Sequence, residues 1–174
     1  MPSDGGSGND AGSGETTSSA SDPEGSERPS DGDEPVALVT GAAGGIGSAI
    51  TRALLAAGWR VYATDVEVDE IGEIDDEPEP EDGARLETAV WDVTDADDRE
   101  RVLERIERET GRLDCLVNNA GYAVPGAVLD SDETAVRDLY EVLVHGPTAL
   151  VKRAFPLLRD SAGIVLTVTS SLAH

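Results

Sequence analysis

A run of glycines near residue 41 is the first part of this sequence that could bind a ligand. It reads Gly41-Ala-Ala-Gly-Gly-Ile-Gly47 and lies between a predicted strand and a predicted helix. Glycine lets a ligand approach the backbone closely, and N–H groups at a helix N-terminus attract phosphate without a charged side chain. The run therefore fits a dinucleotide pyrophosphate, although a tight strand-to-helix turn alone also explains it. No Gly-Lys-Ser/Thr follows, which excludes a nucleoside-triphosphate P-loop.

Other polar residues that could bind a ligand or act in catalysis also follow predicted strands. Asp65, Asp92, the Asn-Asn-Ala-Gly segment at 118–121 and Ser170 each come after an apolar or β-branched run. In a parallel α/β sheet the carboxyl ends of the strands meet at one edge, and ligands bind there. We therefore expect these groups to converge on the same edge as the glycine run.

The elements that must position these groups alternate between strands and helices. Strands are predicted at 36–40, 60–64, 85–90, 114–117 and 164–169, and helices after the glycine run, between Thr94 and Gly111, and over 132–159. Thr94 and Asp97 resemble a capping pair for the second helix. Residues 67–82 contain ten acids and two prolines, which predict a solvated loop. This order predicts an α/β fold, a doubly wound parallel sheet with strand order 3-2-1-4-5.

Two of these motifs together resemble the short-chain dehydrogenase/reductase family. Thr40-Gly-Ala-Ala-Gly-Gly-Ile-Gly47 matches the family's Thr-Gly-x-x-x-Gly-Ile-Gly fingerprint, and Asn118-Asn-Ala-Gly121 matches its Asn-Asn-Ala-Gly motif after strand four. The resemblance covers residues 35–174. It implies a Rossmann-type fold, bound NAD(H) or NADP(H), and hydride transfer between nicotinamide and a small-molecule alcohol or ketone.

The resemblance assigns cofactor contacts at the first two strand ends. It implies that Gly41, Gly45, Ile46 and Gly47 contact the cofactor. Asp65 ends the second strand, where a carboxylate accepts the ribose hydroxyl hydrogens and repels a 2′-phosphate. No arginine follows within residues 66–84 to hold such a phosphate, so NAD is favoured over NADP. A strand-end acid that only faces solvent is the alternative for this position.

Further contacts are implied at the third and fourth strand ends. Asp92 and Val93 match the family's adenine-contacting pair, although Asp92 could equally be a helix-entry acid. Asn119, Ala120 and Gly121 would border the cofactor ribose through their backbone. Asn118 is expected to tie neighbouring strands together.

The catalytic group is incomplete in this sequence. The resemblance gives Ser170 the role of polarising the substrate oxygen, with Ser171 as the alternative if the register shifts by one. The family's Tyr-x-x-x-Lys pair is absent, because none of the tyrosines Tyr62, Tyr122 and Tyr140 has a lysine four residues on. We expect a chain truncated after the fifth strand, with the C-terminal strands of the fold absent. The alternative is a dinucleotide-binding protein or inactive fragment without the chemistry.

The long helix departs from the family at Leu143, which stands where the family has an asparagine. That asparagine is associated with a helix kink whose backbone carbonyl holds a water of the proton relay. Pro147 lacks the N–H that would otherwise bond the carbonyl of Leu143. We therefore expect the Leu143 carbonyl to stay free, so that the backbone function survives without the asparagine side chain, while a leucine packing in the core is also expected.

Composition excludes several other classes of function. The 174 residues carry 36 Asp+Glu against 13 Lys+Arg, a net charge of −23, so nucleic acids and anionic membranes would repel the chain. No apolar run approaches the roughly 18–20 residues of a membrane span, and no secretory signal is recognisable. With one cysteine, Cys115, these features predict a cytoplasmic protein. Neither histidine has acids at metal-ligand spacing, so no metal site is predicted.

The charge is divided between two regions. Residues 1–34 hold nine acids, one base and no Val, Ile, Leu, Phe, Tyr or Trp, which predicts a disordered acidic Gly/Ser-rich tail. Residues 35–174 form the predicted NAD(P)-binding domain, incomplete at its C-terminus. Lys152 is the only lysine beside twelve arginines, and this bias with the high acid content predicts adaptation to high salt. A homo-oligomer is expected for a full-length form.

Overall fold

One parallel sheet organises the part of the chain that the structure describes. The computed structural model describes residues 34–67, 85–124 and 131–170; the predicted tail at 1–33 and nearly all of the predicted acidic loop lie outside them. Its strands are β1 Val36–Thr40, β2 Arg60–Asp65, β3 Leu86–Val90, β4 Cys115–Asn118 and β5 Ile164–Thr167. They lie in the order β3-β2-β1-β4-β5, and each neighbouring pair is parallel. The predicted strand order is confirmed.

Helices connect the strands and cover both faces of the sheet. They are α1 Gly45–Ala56, α2 Ala96–Thr110, α3 Glu133–Tyr140 and α4 Gly146–Asp160, with a π-helical turn at Glu141–His145 joining the last two. None of the described helices has the length and apolar character needed to cross a membrane.

The N-terminus of α2 corrects one prediction. Asp95, not Thr94, is the capping residue, and its side chain accepts a hydrogen bond from the Asp98 N–H at 2.9 Å. The Thr94 hydroxyl instead donates to Asp92 Oδ1 at 2.7 Å. The helix therefore begins one residue later than the predicted capping pair indicated.

Two apolar layers pack against the sheet. On one face, side chains such as Leu38 and Leu116 pack with α2 and α4, where Leu103 and Leu150 are fully buried. On the other face, small β1, β2 and β4 residues, including Val39, pack against α1. Strand β1 is buried at all five positions, as its continuous apolar sequence predicts for a central strand covered on both faces.

Strand β5 lies at the edge of the described sheet and is different in character. All four of its residues are exposed, including Ile164 at 61% and Leu166 at 47%. Its chain enters the sheet at Gly163, where an added Cβ would lie 2.5 Å from the Leu113 carbonyl oxygen. This edge combines apolar side chains with unpaired backbone groups, a combination that favours pairing with other strands.

A half-buried ionic cluster lies at the amino ends of the strands, the end of the sheet opposite the glycine turn. Arg60 Nη2 lies 3.0 Å from carboxylate oxygens of both Glu87 and Glu109, and Arg105 Nε lies 2.9 Å from Glu109. The Tyr62 hydroxyl donates to Glu109 at 2.9 Å, and burial raises the pKa of Tyr62. Burial alone would raise the pKa of Glu109, but hydrogen bonds from Arg105 and Tyr62 lower it overall. Glu109 is therefore the carboxylate that joins α2 to the sheet.

Glu109→Gln should destabilise the protein in a pH-dependent way. A lowered pKa means that the folded state favours the carboxylate. Its contribution is fully present above the ordinary glutamate pKa and is lost as the pH falls through the lowered value. Urea denaturation should show a loss of about 1–3 kcal/mol in the free energy of unfolding at pH 7. The difference between the two proteins in the free energy of unfolding should shrink as the pH falls from the ordinary glutamate pKa through the lowered pKa of Glu109.

Glu107→Gln is the matched control, since Glu107 is an exposed residue of the same helix. Its effect should stay within about 0.5 kcal/mol. A similar loss in both variants would show that helix charge, and not the Glu109 cluster, is responsible.

Candidate functional site

The glycine run forms a sharp turn from β1 into α1, and two of its glycines are required by the chain itself. Gly41 has φ of +65°, in the left-handed region that favours glycine. A Cβ added there would lie 2.7 Å from Ala120 Cα, and one added at Gly47 would lie 2.0 Å from the Gly41 carbonyl oxygen. Any side chain at either position would force the turn apart.

The middle of the turn is open. A Cβ at Gly45 would meet no heavy atom within 4 Å, and the φ of Gly45 is not positive. Gly44 caps α1 without a side-chain hydrogen bond, and Ile46 beside it is 61% exposed. The start of α1 is therefore open around Gly45, and the unbonded N–H groups of a helix N-terminus suit a phosphate group.

A clamp made by Thr40 and Asn119 holds this turn against the end of β4. Thr40 Oγ1 accepts hydrogen bonds from the backbone N–H groups of Asn119 and Ala120, both at 3.0 Å, and donates to the Val117 carbonyl at 3.3 Å. In return, Asn119 Nδ2 donates to the carbonyls of Thr40 at 3.1 Å and Gly41 at 2.9 Å. The turn and the segment at 118–121 are thus joined into one unit by reciprocal hydrogen bonds.

The role of Thr40 was missed by the sequence analysis, although a signal exists for it. Thr40 ends a fully buried strand, and a buried hydroxyl in such a position needs partners. Asn119 and Ala120 were expected to face the ribose through their backbone, whereas their N–H groups bind Thr40. Their proposed cofactor contacts would have to use the remaining carbonyls and the surface of the segment.

Asp65 is brought next to the glycine turn. It ends β2, is half-buried, and accepts from the Ala43 N–H through Oδ2 at 3.0 Å and from the Val66 N–H through Oδ1 at 2.7 Å. The carboxylate is therefore fixed in place by backbone groups, one of them in the turn. Each oxygen retains a further lone pair for a hydroxyl donor.

Asp92 and Val93 lie at the end of β3, as predicted. Asp92 is exposed, and its Oδ1 accepts from both the N–H and the hydroxyl of Thr94, at 2.8 and 2.7 Å. Val93 is buried, and its carbonyl accepts from Arg99 Nη1 at 2.7 Å. That carbonyl oxygen also lies 2.8 Å from the position of a Gly146 Cβ. The loop after β3 is therefore packed against the start of α4.

A π-helical turn around Leu143 interrupts the long helix. The π-helical turn at Glu141–His145 closes with the Gly146 N–H donating to the Glu141 carbonyl, immediately before Pro147. Leu143, in the middle of this turn, extends to the segment at 118–121, because a Cβ on Gly121 would lie 2.8 Å from Leu143 Cδ2. It remains 46% exposed, so the expectation that it packs in the core is wrong.

Ser170 and Asn118 belong to the last two strand ends. Asn118 pairs with Thr167 of β5, and its carbonyl accepts from the Val168 N–H at 2.9 Å. Ser170 follows three residues after Thr167 and is exposed. Among the described residues, the buried Asn118 Oδ1 has no hydrogen-bond partner. The alternative catalytic residue, Ser171, lies outside the described residues.

The site residues thus form two groups. The turn, Asp65 and the segment at 118–121 are joined by direct hydrogen bonds. Asp92, Val93 and Ser170 share the same edge of the sheet, but no described hydrogen bond joins their side chains to the turn. None of the site residues is a cation, so any phosphate bound here would depend on backbone N–H groups.

Comparison with known proteins matches this geometry to one family. The family model described as short chain dehydrogenase matches residues 35–174. The mouse protein named L-fucose dehydrogenase is 36% identical over 145 residues, which cover 78% of this chain and 48% of that protein. An uncharacterized oxidoreductase of Staphylococcus saprophyticus is 29% identical over 136 residues, 78% of this chain and 58% of its own length. The chain spans about half the length of the curated relatives it matches.

Solved structures agree with the sequence relatives. An alcohol dehydrogenase from the archaeon Thermococcus sibiricus, complexed with 5-hydroxy-NADP, superimposes with a TM-score of 0.73 at 29% identity, covering 79% of this chain and 58% of that one. A short-chain dehydrogenase from Streptomyces avermitilis gives a TM-score of 0.72 at 34% identity, covering 81% and 51%. This chain belongs to the short-chain dehydrogenase family.

Proposed function

We propose that the chain binds a nicotinamide dinucleotide at the carboxyl edge of its sheet and forms the cofactor-binding part of an oxidoreductase. The observation that carries this proposal is Gly45. Its backbone conformation does not require glycine, and no atom of the described residues excludes a side chain there. A glycine at such a position is explained by the close approach of a ligand to the N-terminus of α1.

The chain's own residues would divide the work of binding. The N–H groups at the start of α1, near Gly45 and Ile46, hold the pyrophosphate, while Gly41 and Gly47 shape the turn. Asp92 and Val93 border the adenine, and the segment at 119–121 borders the ribose next to the nicotinamide. When bound, the dinucleotide supplies or accepts the hydride. Ser170 polarises the oxygen of an alcohol or ketone substrate from the end of β5.

The position of Asp65 supports NAD in preference to NADP. Its carboxylate is fixed by the Ala43 and Val66 N–H groups, so it cannot easily turn away from a 2′-phosphate, which it would repel. A ribose hydroxyl, in contrast, can donate to its free lone pairs. The solved relative from Thermococcus sibiricus is complexed with an NADP derivative, so family membership alone does not decide between the two cofactors.

A second function, dinucleotide binding without catalysis, differs from the first in the Tyr-x-x-x-Lys pair, which residues 1–174 do not contain. Tyr62 has a structural role, because its hydroxyl donates to Glu109 in the ionic cluster at the amino ends of the strands. Tyr122 and Tyr140 are about half exposed and have no lysine four residues on. Sequencing the gene beyond the codon for residue 174 separates the two functions, since the enzyme requires that pair to be encoded there.

Gly45→Ala and Gly47→Ala should separate binding from folding. Gly45→Ala should weaken NAD⁺ binding, measured by calorimetry, by about tenfold or more, or about 1.4 kcal/mol. It should leave the free energy of unfolding unchanged or raise it by up to about 1 kcal/mol, because alanine favours the helix. Gly47→Ala should instead destabilise the fold by about 1–3 kcal/mol through its clash with Gly41.

Wild-type protein that binds neither NAD⁺ nor NADP⁺ at millimolar concentration would refute the proposal. Unchanged NAD⁺ affinity in Gly45→Ala would refute the placement of the pyrophosphate.

Asp65→Asn should shift cofactor preference toward NADP⁺. Removing the negative charge abolishes the repulsion of the 2′-phosphate and weakens the ribose hydrogen bonds. The ratio of the two dissociation constants should therefore move toward NADP⁺ by about tenfold or more. Glu67→Gln is the control, because Glu67 is an exposed acid two residues beyond β2. An equal shift in both variants would show that only the general negative charge matters.

A further inference from the structure

An apolar contact joins the π-helical turn at Glu141–His145 to the segment at 118–121. A Cβ added to Gly121 would lie 2.8 Å from Leu143 Cδ2, so the end of this leucine packs directly on the Gly121 backbone. The other atom near that position is the Asn119 carbonyl oxygen, at an ordinary contact distance of 3.9 Å. Gly121 is not among the glycines with positive φ. Within the described part of the chain, the contact with Leu143 is therefore what leaves no room for a side chain at position 121.

The hydrogen bonds that hold this segment end one residue before Gly121. The N–H groups of Asn119 and Ala120 bind Thr40 Oγ1, both at 3.0 Å, and no described bond of the clamp extends to Gly121. Glycine is also the residue whose backbone is least restricted by its own atoms. The chain at Gly121 is therefore held by packing, and among the described residues Leu143 makes that contact.

The π-helical turn determines where Leu143 lies. A π-turn contains one residue more than an α-helical turn, and this extra residue rotates the following side chains by about 100° relative to the preceding ones. The turn is fixed at its C-terminal end, because Gly146 is buried and an added Cβ there would lie 2.8 Å from the Val93 carbonyl oxygen. Leu143 is 46% exposed, so burial in the core does not account for its position. The contact with Gly121 does.

We propose that Leu143 is a positioning residue for the nicotinamide half of the dinucleotide, acting through Gly121. The inference rests on the proposed function, in which the segment at 119–121 borders the ribose next to the nicotinamide. Because the clamp holds Asn119 and Ala120 without Leu143, loss of the leucine side chain should loosen the Gly121 end of the segment. The adenosine half, beside Asp65, should be unaffected.

Binding of NAD⁺ is compared with binding of ADP, which lacks the second ribose and the nicotinamide. Leu143→Ala should weaken NAD⁺ binding by about fivefold and change ADP binding by less than about twofold, as measured by calorimetry. A variant that only destabilised the fold would weaken the binding of both ligands alike. Leu143→Met retains a long apolar side chain and should keep the NAD⁺ affinity within about twofold of wild type.

Val144→Ala is the matched control. Val144 is the next residue of the same π-helical turn and is 44% exposed, so its truncation removes a similar apolar side chain from the same local structure. Both affinities should stay within about twofold of wild type.

The outcomes distinguish this inference from the proposed function. Wild type that does not bind NAD⁺ overturns the inference, and if it does not bind NADP⁺ either, the proposed function falls as well. Where wild type binds NAD⁺, unchanged NAD⁺ affinity in Leu143→Ala, or equal weakening of NAD⁺ and ADP binding, overturns the role of Leu143 alone. A Val144→Ala variant that reproduces the difference between the two ligands, or a Leu143→Met variant as weak as Leu143→Ala, also overturns it.

Discussion

The close contact between the β1 turn and the end of β4 is the constraint on which the rest of the site depends. Gly41 packs so near Ala120 that any side chain would break the contact, and the Thr40–Asn119 clamp supplies reciprocal hydrogen bonds across it. These bonds pair backbone N–H and carbonyl groups at the ends of two buried strands. Without the clamp those groups would lack hydrogen-bond partners. The position of the α1 N-terminus is therefore set by contacts with the end of β4 as well as by its connection to β1.

The two edges of the sheet handle charge in opposite ways. The carboxyl edge carries acids and no arginine among its site residues, so phosphate affinity there has to come from oriented backbone dipoles. The amino edge gathers arginines and pairs them with Glu87, Glu109 and Asp114. An acidic protein can thus bind an anionic dinucleotide because the favourable groups are neutral N–H dipoles held at the site, whereas its overall charge acts over longer distances and is screened by salt.

Much of the fold could be predicted from the sequence, because it depends on local patterns. Continuous apolar strands, the glycine turn and the alternation with helices were enough for the strand order 3-2-1-4-5. The side-chain role of Asn119 was not predictable in this way. Its bonds to Thr40 and Gly41 join residues 79 and 78 positions apart and exist only in the final register. The cap of α2 was misplaced by one residue because Thr94 and Asp95 are both good capping types, and only the contact with Asp92 decides between them.

The turn contains two kinds of glycine. One kind is required by packing within the chain, and the other is not. Gly47 is required by the packing of the polypeptide itself, so its replacement destabilises the fold whatever the protein binds. Gly45 is required by no contact among the described residues, so a bound ligand is the reason we propose for a glycine there. Among descendants that had given up the ligand, Gly45 would drift first while Gly41 and Gly47 stayed. The identity of this single position across related genes is therefore a test of whether binding has been maintained.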